Sequence, residues 1–103
     1  MSMNKHKWTE TDDVAAFYVY RFGHERIARS KPELAETLGI RPASFGKRIQ
    51  NFKAIDGGGG LSHYAQQSVR VFKQYQSATE PRLRAVVLSA IEKVKMNSGK
   101  RSI

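Results

Sequence analysis

The chain contains no cysteine, which excludes disulfide bridges and thiolate metal sites. No apolar run approaches the roughly 18 residues that a membrane-spanning helix requires. The segment from Met1 to Trp8 carries Lys5 and Lys7 but lacks the apolar stretch of a secretory leader. The expectation is therefore a cytoplasmic protein. Proline is scarce, and Pro32, Pro42 and Pro81 all stand where a helix can begin. Alternating apolar and polar runs of the kind a strand shows are missing, and no internal repeat is visible, so the expected fold class is all-α. Acids are scarce too: 9 against 18 lysines and arginines, a net charge of +9. A polyanionic partner is the natural inference from that imbalance. The other reading is a soluble protein that is basic without binding anything.

At 103 residues the chain fits one domain with one modest core. Residues 1–7 read as a flexible arm, 8–97 as a single helical domain and 98–103 as a basic tail. The positive charge is uneven. Met1 to Ser30 holds five bases and four acids. Thr37 to Thr79 holds Arg41, Lys47, Arg48, Lys53, Arg70 and Lys73 against Asp56 alone. Glu80 to Ile103 holds six bases and two acids.

About five short helices are expected. Thr9 can cap the first, with Asp12 three residues on in a capping-box arrangement and Glu10, Asp12 and Asp13 in the first turn, where the helix dipole favours acids. Val14, Phe17, Tyr18 and Phe22 give it a wide apolar face, Trp8 folds back onto it, and Gly23 stops it. Gly23 to Ser30 reads either as a short helical turn or as a loop. Ser30 or Lys31 begins a short helix through Leu38. The run Gly57 to Gly60 is a connector, since a phosphate-cradling loop needs a strand before it and Lys-Ser/Thr after it. Ser62 can cap a fourth helix with the apolar face Leu61, Tyr64, Ala65, Val69 and Phe72. Thr79 can cap a fifth, with the stripe Leu83, Val86, Val87, Ala90, Ile91 and Val94, ending at Asn97-Ser98-Gly99.

The informative stretch runs from Glu33 to Phe52. Gly39-Ile40-Arg41-Pro42 joins two short helices, and Ala35 and Gly39, four residues apart, supply a small packing residue and a turn that reverses cheaply. With Leu34, Leu38, Ile40 and Phe45 facing the core, this is a helix-turn-helix unit at residues 32–54. One position departs from the usual spacing. Three residues after Phe45 stands Arg48, and the apolar residue comes one later, at Ile49. Either the turn is one residue longer or the second helix is rotated.

With Phe45, Ile49 and Phe52 inward, the helical period turns Ala43, Ser44, Lys47, Gln50 and Asn51 outward, flanked by Arg48. Lys and Arg suit guanine or phosphate, Gln and Asn suit adenine, and Ser suits either. Arg41 in the turn would reach a phosphate, as would the free N–H groups near Ser44. Lys53, His63 and Arg70 complete the expected DNA-binding set. A merely solvated helix face would look similar, and Asn51 could equally cap the following turn.

The run from Trp8-Thr9-Glu10 through Glu33-Leu34-Ala35-Glu36-Thr37-Leu38-Gly39-Ile40, Ser44-Phe45, Ile49-Gln50-Asn51-Phe52 and on to Gly60-Leu61-Ser62 resembles a helical segment at the front of some bacterial HNH-type endonucleases. The likeness covers roughly residues 8 to 76. It implies a segment that helps to engage DNA. The nuclease itself is missing, because the only histidines are His6, His24 and His63 and there is no cysteine. The resemblance thus implies a stand-alone binding module rather than an enzyme.

No His-x-x-x-His pair suggests a zinc site, and Ser44, Ser62 and Ser68 have no nucleophile setting. Asp12 and Asp13 read as helix-start charges. No cofactor, metal or catalytic residue is expected. The leading function is double-stranded DNA binding without catalysis, as in a transcription regulator or an accessory factor of a mobile-element or restriction-related system. A homodimer would suit paired half-sites. The alternative is a phage- or plasmid-type protein-interaction factor or inhibitor using the 83–94 apolar stripe, although that stripe can instead close the core. RNA binding is a weaker third option, since no RNA-recognition sheet is visible.

Overall fold

The computed structural model describes residues 7–58 and 65–101, with side chains described as far as residue 96. The described residues are all-helical: α1 (Glu10–Phe22), a single 3₁₀ turn (Glu25–Ile27), α2 (Lys31–Thr37), α3 (Pro42–Asp56), α4 (Gln66–Tyr75) and α5 (Glu80–Arg101). None of these helices is long and apolar enough to cross a membrane.

The architecture follows from α1. Every residue from Asp12 to Val19 is buried. A helix without a solvated face must sit at the centre of the fold, and α3, α4 and α5 all pack on it. Phe17 joins three of these helices. Its ring lies 5.3 Å from that of Phe52 on α3 and 5.8 Å, edge to face, from that of Phe72 on α4. Such pairs add to the burial of their area. The start of α5 is tied to the middle of α1 by the Tyr18 hydroxyl, which donates to Glu80 at 2.5 Å.

Helix boundaries obey local chemistry. The Thr9 hydroxyl accepts from the Asp12 N–H at 3.1 Å, and the Asp12 carboxylate accepts from the Thr9 N–H at 3.0 Å. Ser30 and Glu33 repeat this reciprocal box at the start of α2. The bond donated by the Ser30 backbone N–H, with the Ser30 side chain second, holds the Glu33 carboxyl below its usual range. The ambiguous stretch after Gly23 resolves into the 3₁₀ turn.

The α2–α3 connection is a Schellman turn. Ile40 N–H reaches back to the Ala35 carbonyl at 2.8 Å and Gly39 N–H to that of Glu36 at 3.0 Å. The turn places Gly39 at φ 78°, where a β-carbon is strained. Ile40 is then buried and Pro42 opens α3. Two helices joined by a tight turn thus stand at the expected place.

Two boundaries differ from expectation. The described part of α4 begins at Gln66 with Ala65 exposed in front of it, so Ala65 is not on the buried face. Ser68 takes an inward position instead and is fully buried. The expected cap at Ser62 and the contributions of Leu61 and Tyr64 lie outside the described residues. At the other end, α5 runs through Asn97-Ser98-Gly99 to Arg101. A glycine inside a helix costs only about 1 kcal/mol relative to alanine, so Gly99 alone does not end α5.

Candidate nucleic-acid interface

The helix α3 has two sides with opposite chemistry. Phe45, Ile49, Phe52 and Ile55 form its buried stripe. On the opposite side Ala43, Lys47, Gln50 and Lys53 are exposed, and Arg41 is exposed just ahead of the first turn. Among the described residues, ion pairs link Arg26 and Arg84 to Glu80 and Arg48 to Asp13. None involves Arg41, Lys47 or Lys53. The first turn of α3 contains no acid, and Arg41 provides no side-chain cap. The N–H groups of Ala43 and Ser44 therefore end a 15-residue helix without a side-chain partner.

Arg48 does not belong to that outer surface. Its Nε donates to one oxygen of Asp13 at 2.7 Å and its Nη2 to the other at 2.9 Å. The guanidinium carbon also lies 4.3 Å from the centre of the Trp8 ring. Only 14% of the side chain is exposed. This corrects the placement of Arg48 among outward residues. Position 48 lies on the inner flank of the helix, and an arginine occupies it because α1 supplies a carboxylate to meet it.

Asp13 stands in the first turn of α1, as expected, but it does not face water. It is fully buried. Besides Arg48 it accepts from Gln67 Nε2 at 2.6 Å and from the Ser68 hydroxyl at 2.9 Å, both on α4. Gln67 Nε2 also donates to the Trp8 and Thr9 carbonyls at 3.2 and 3.1 Å. Among the described residues no buried side-chain polar atom is left without a partner. That completeness makes a buried ion pair tolerable. One signal in the sequence pointed to it: Asp13 adjoins the run Val14-Ala15-Ala16-Phe17-Tyr18-Val19, which leaves α1 no wet face.

The remaining expected site residues divide. Ser44 and Asn51 are half-buried at the edges of the outer side. Arg70 is exposed on α4, which contains no acid, and Lys73 joins it three residues on. Lys73 was missed as a site residue although the same one-turn spacing marks it. His63 lies outside the described residues.

Acids are mostly committed to internal work. Asp12 and Glu33 close capping boxes, Asp13 holds Arg48, Asp56 accepts from the Tyr20 hydroxyl and Glu80 accepts from Tyr18. The Asp56 bond raises the Tyr20 pKa, since a phenol donating to a carboxylate resists losing its proton. The outer side of α3 thus faces solvent with bases whose charge no acid among the described residues offsets through an ion pair.

The 83–94 stripe is largely used up. Leu83, Val87, Ala90 and Ile91 are buried in the core of this same chain. A groove of about 450 Å³ runs beside α5, between Val86, Ala90 and Val94 on one wall and Thr11 and Leu38 on the other. Among the described residues no group of three His, Cys, Asp or Glu side chains could hold a metal ion. No protein-family model, curated protein or solved structure matches the chain. The described residues form an all-helical protein in which α3 is joined to the central helix α1 by a buried ion pair.

Proposed function

We propose that this chain binds double-stranded DNA without catalysing a reaction on it, with α3 as the helix presented to the major groove. The observation that carries the reading is the outer side of α3, where Lys47, Gln50 and Lys53 are exposed opposite a fully apolar inner stripe. Lys47 and Gln50 are one turn apart, the spacing at which two side chains reach neighbouring base edges. Arg41 and the open first turn of α3 are suited to a phosphate. Arg70 and Lys73 on α4 add sequence-independent attraction. The resemblance to the DNA-engaging segment of HNH-type endonucleases points the same way. A role as a regulator, or as an accessory factor of a mobile-element or restriction-related system, is the setting proposed for such a module.

A mobility-shift series in rising salt tests this. Wild type is expected to bind duplex DNA at low salt and to release it steeply as salt rises. Lys47→Ala combined with Lys53→Ala is expected to flatten the slope of log affinity against log salt by about 1.8, the effect of removing two cations from the bound duplex. Equal affinity and equal slope for both proteins would remove α3 from the interface.

A further inference from the structure

We infer that Arg48 is a positioning residue for this interface: by gripping Asp13 and Trp8 it fixes the roll of α3 about its own axis, and so sets where Lys47 and Gln50 point, without touching the nucleic acid itself. The inference rests on the reading of α3 as the DNA-contacting helix.

A helix seated by an apolar stripe alone is held by forces that have no direction. Phe45, Ile49, Phe52 and Ile55 give α3 such a seat. At a helix radius of roughly 5–6 Å, a roll of about 20° carries an outward side chain on the order of 2 Å sideways. A hydrogen bond to a base edge does not survive that displacement. The Arg48 fork supplies the missing direction. Two N–H groups meet two oxygens of one carboxylate at 2.7 and 2.9 Å, which fixes orientation as well as distance. The Arg48 guanidinium carbon also lies over the Trp8 ring, 4.3 Å from its centre.

The carboxylate at the other end cannot swing. Asp13 belongs to the buried part of α1 and is held from α4 by Gln67 and Ser68 at 2.6 and 2.9 Å. The clamp therefore refers the roll of α3 to two other helices at once. Lys47 is the preceding residue in the chain, about 100° around the helix, so its direction is set by the same bonds. Lysine cannot substitute, because a point-like ammonium has no fork and no plane to stack.

The test uses two duplexes: one enriched by wild type from a random pool, and a scrambled version of it. Arg48→Lys, Trp8→Leu and Lys47→Ala are compared at a temperature where circular dichroism shows each variant folded. Arg48→Lys is expected to lose about tenfold or more on the enriched duplex. It should keep its affinity for the scrambled one within about twofold, with the wild-type salt slope. Trp8→Leu is expected to move the same way by a smaller factor, and it serves alone if Arg48→Lys does not fold. Lys47→Ala should weaken both duplexes and lower the slope by about 0.9. A slope lowered by about 0.9 in Arg48→Met, compared at a temperature where it is folded, would make Arg48 a phosphate contact and overturn the inference. So would a parallel loss on both duplexes in Arg48→Lys, or its wild-type binding of the enriched duplex. If wild type itself binds no duplex, the underlying reading fails and the inference falls with it, which the wild-type arm reports separately.

Discussion

Lys47 and Arg48 are neighbours in sequence and carry the same charge, yet they have opposite fates. Lys47 stands in solvent, with no ion-pair partner among the described residues. Arg48 is enclosed between Asp13 and Trp8. The difference is a 100° step around one helix. It shows that net charge is a poor guide to binding surface until each base has been assigned to the inside or the outside. On the inner side of α3, charge fixes geometry. On the outer side it is available to a partner.

The largest expected effect breaks the inner side. Asp13→Ala leaves Arg48 without its carboxylate and strands Gln67 and Ser68, so a loss of about 3–5 kcal/mol is expected. For a domain of this size that is a fall of at least about 12 °C in Tm. Arg48→Met should cost a large part of the same amount, and the double variant less than the sum of the two singles. Lys47→Met should stay within about 0.5 kcal/mol of wild type. Thermal melts of the four variants measure this directly. Equal costs for Lys47→Met and Arg48→Met would erase the distinction between the two sides.

What could be read in the sequence was local. Thr9 with Asp12, Gly39 before Ile40, and Phe45 with Ile49 and Phe52 are each defined by neighbours within a few residues, and all stand where their spacing placed them. The Asp13–Arg48 pair joins positions 35 apart in sequence. By local rules a first-turn acid belongs in water beside the helix dipole, and an arginine next to Lys47 belongs on the same basic face. Only the packing of α3 and α4 onto α1 reverses both expectations. The same packing decides the fate of the 83–94 stripe, whose spacing alone fits a dimer as well as a core.

A second inward group sharpens the contrast through pH. Tyr18 is fully buried, and its burial, followed by its bond to Glu80, pushes its pKa up to about 12 from an ordinary 10.0. Between these values the unfolded chain releases the phenolic proton while the folded chain keeps it. Stability is therefore whole below pH 10 and falls as pH rises towards 12. Alkaline unfolding should begin above pH 10. A tyrosinate absorbance step near pH 12 should be present in wild type and missing in Tyr18→Phe. The same step in Tyr18→Phe would show that another group produces it.

The smallest expected effect falls on the outer side. Gly46 lies inside α3, and beyond its own stretch of helix backbone a β-carbon added there would meet no atom of the described residues within 4 Å. A glycine in a helix interior costs roughly 0.5–1 kcal/mol relative to alanine, so Gly46→Ala should stabilise the fold by that amount and raise Tm by a few degrees. By period Gly46 falls between Ala43 and Lys53 on the outward side. On a bare solvated face the substitution should leave affinity for duplex DNA unchanged. On a face that seats close to a base pair or a sugar, the added methyl should weaken binding while the protein becomes more stable. Stability and affinity moving in opposite directions at Gly46 would be hard to obtain from any effect on folding, because a better-folded protein binds no worse on that account. A rise in stability with unchanged affinity would instead place the contact surface along Lys47 and Gln50, away from the Gly46 edge.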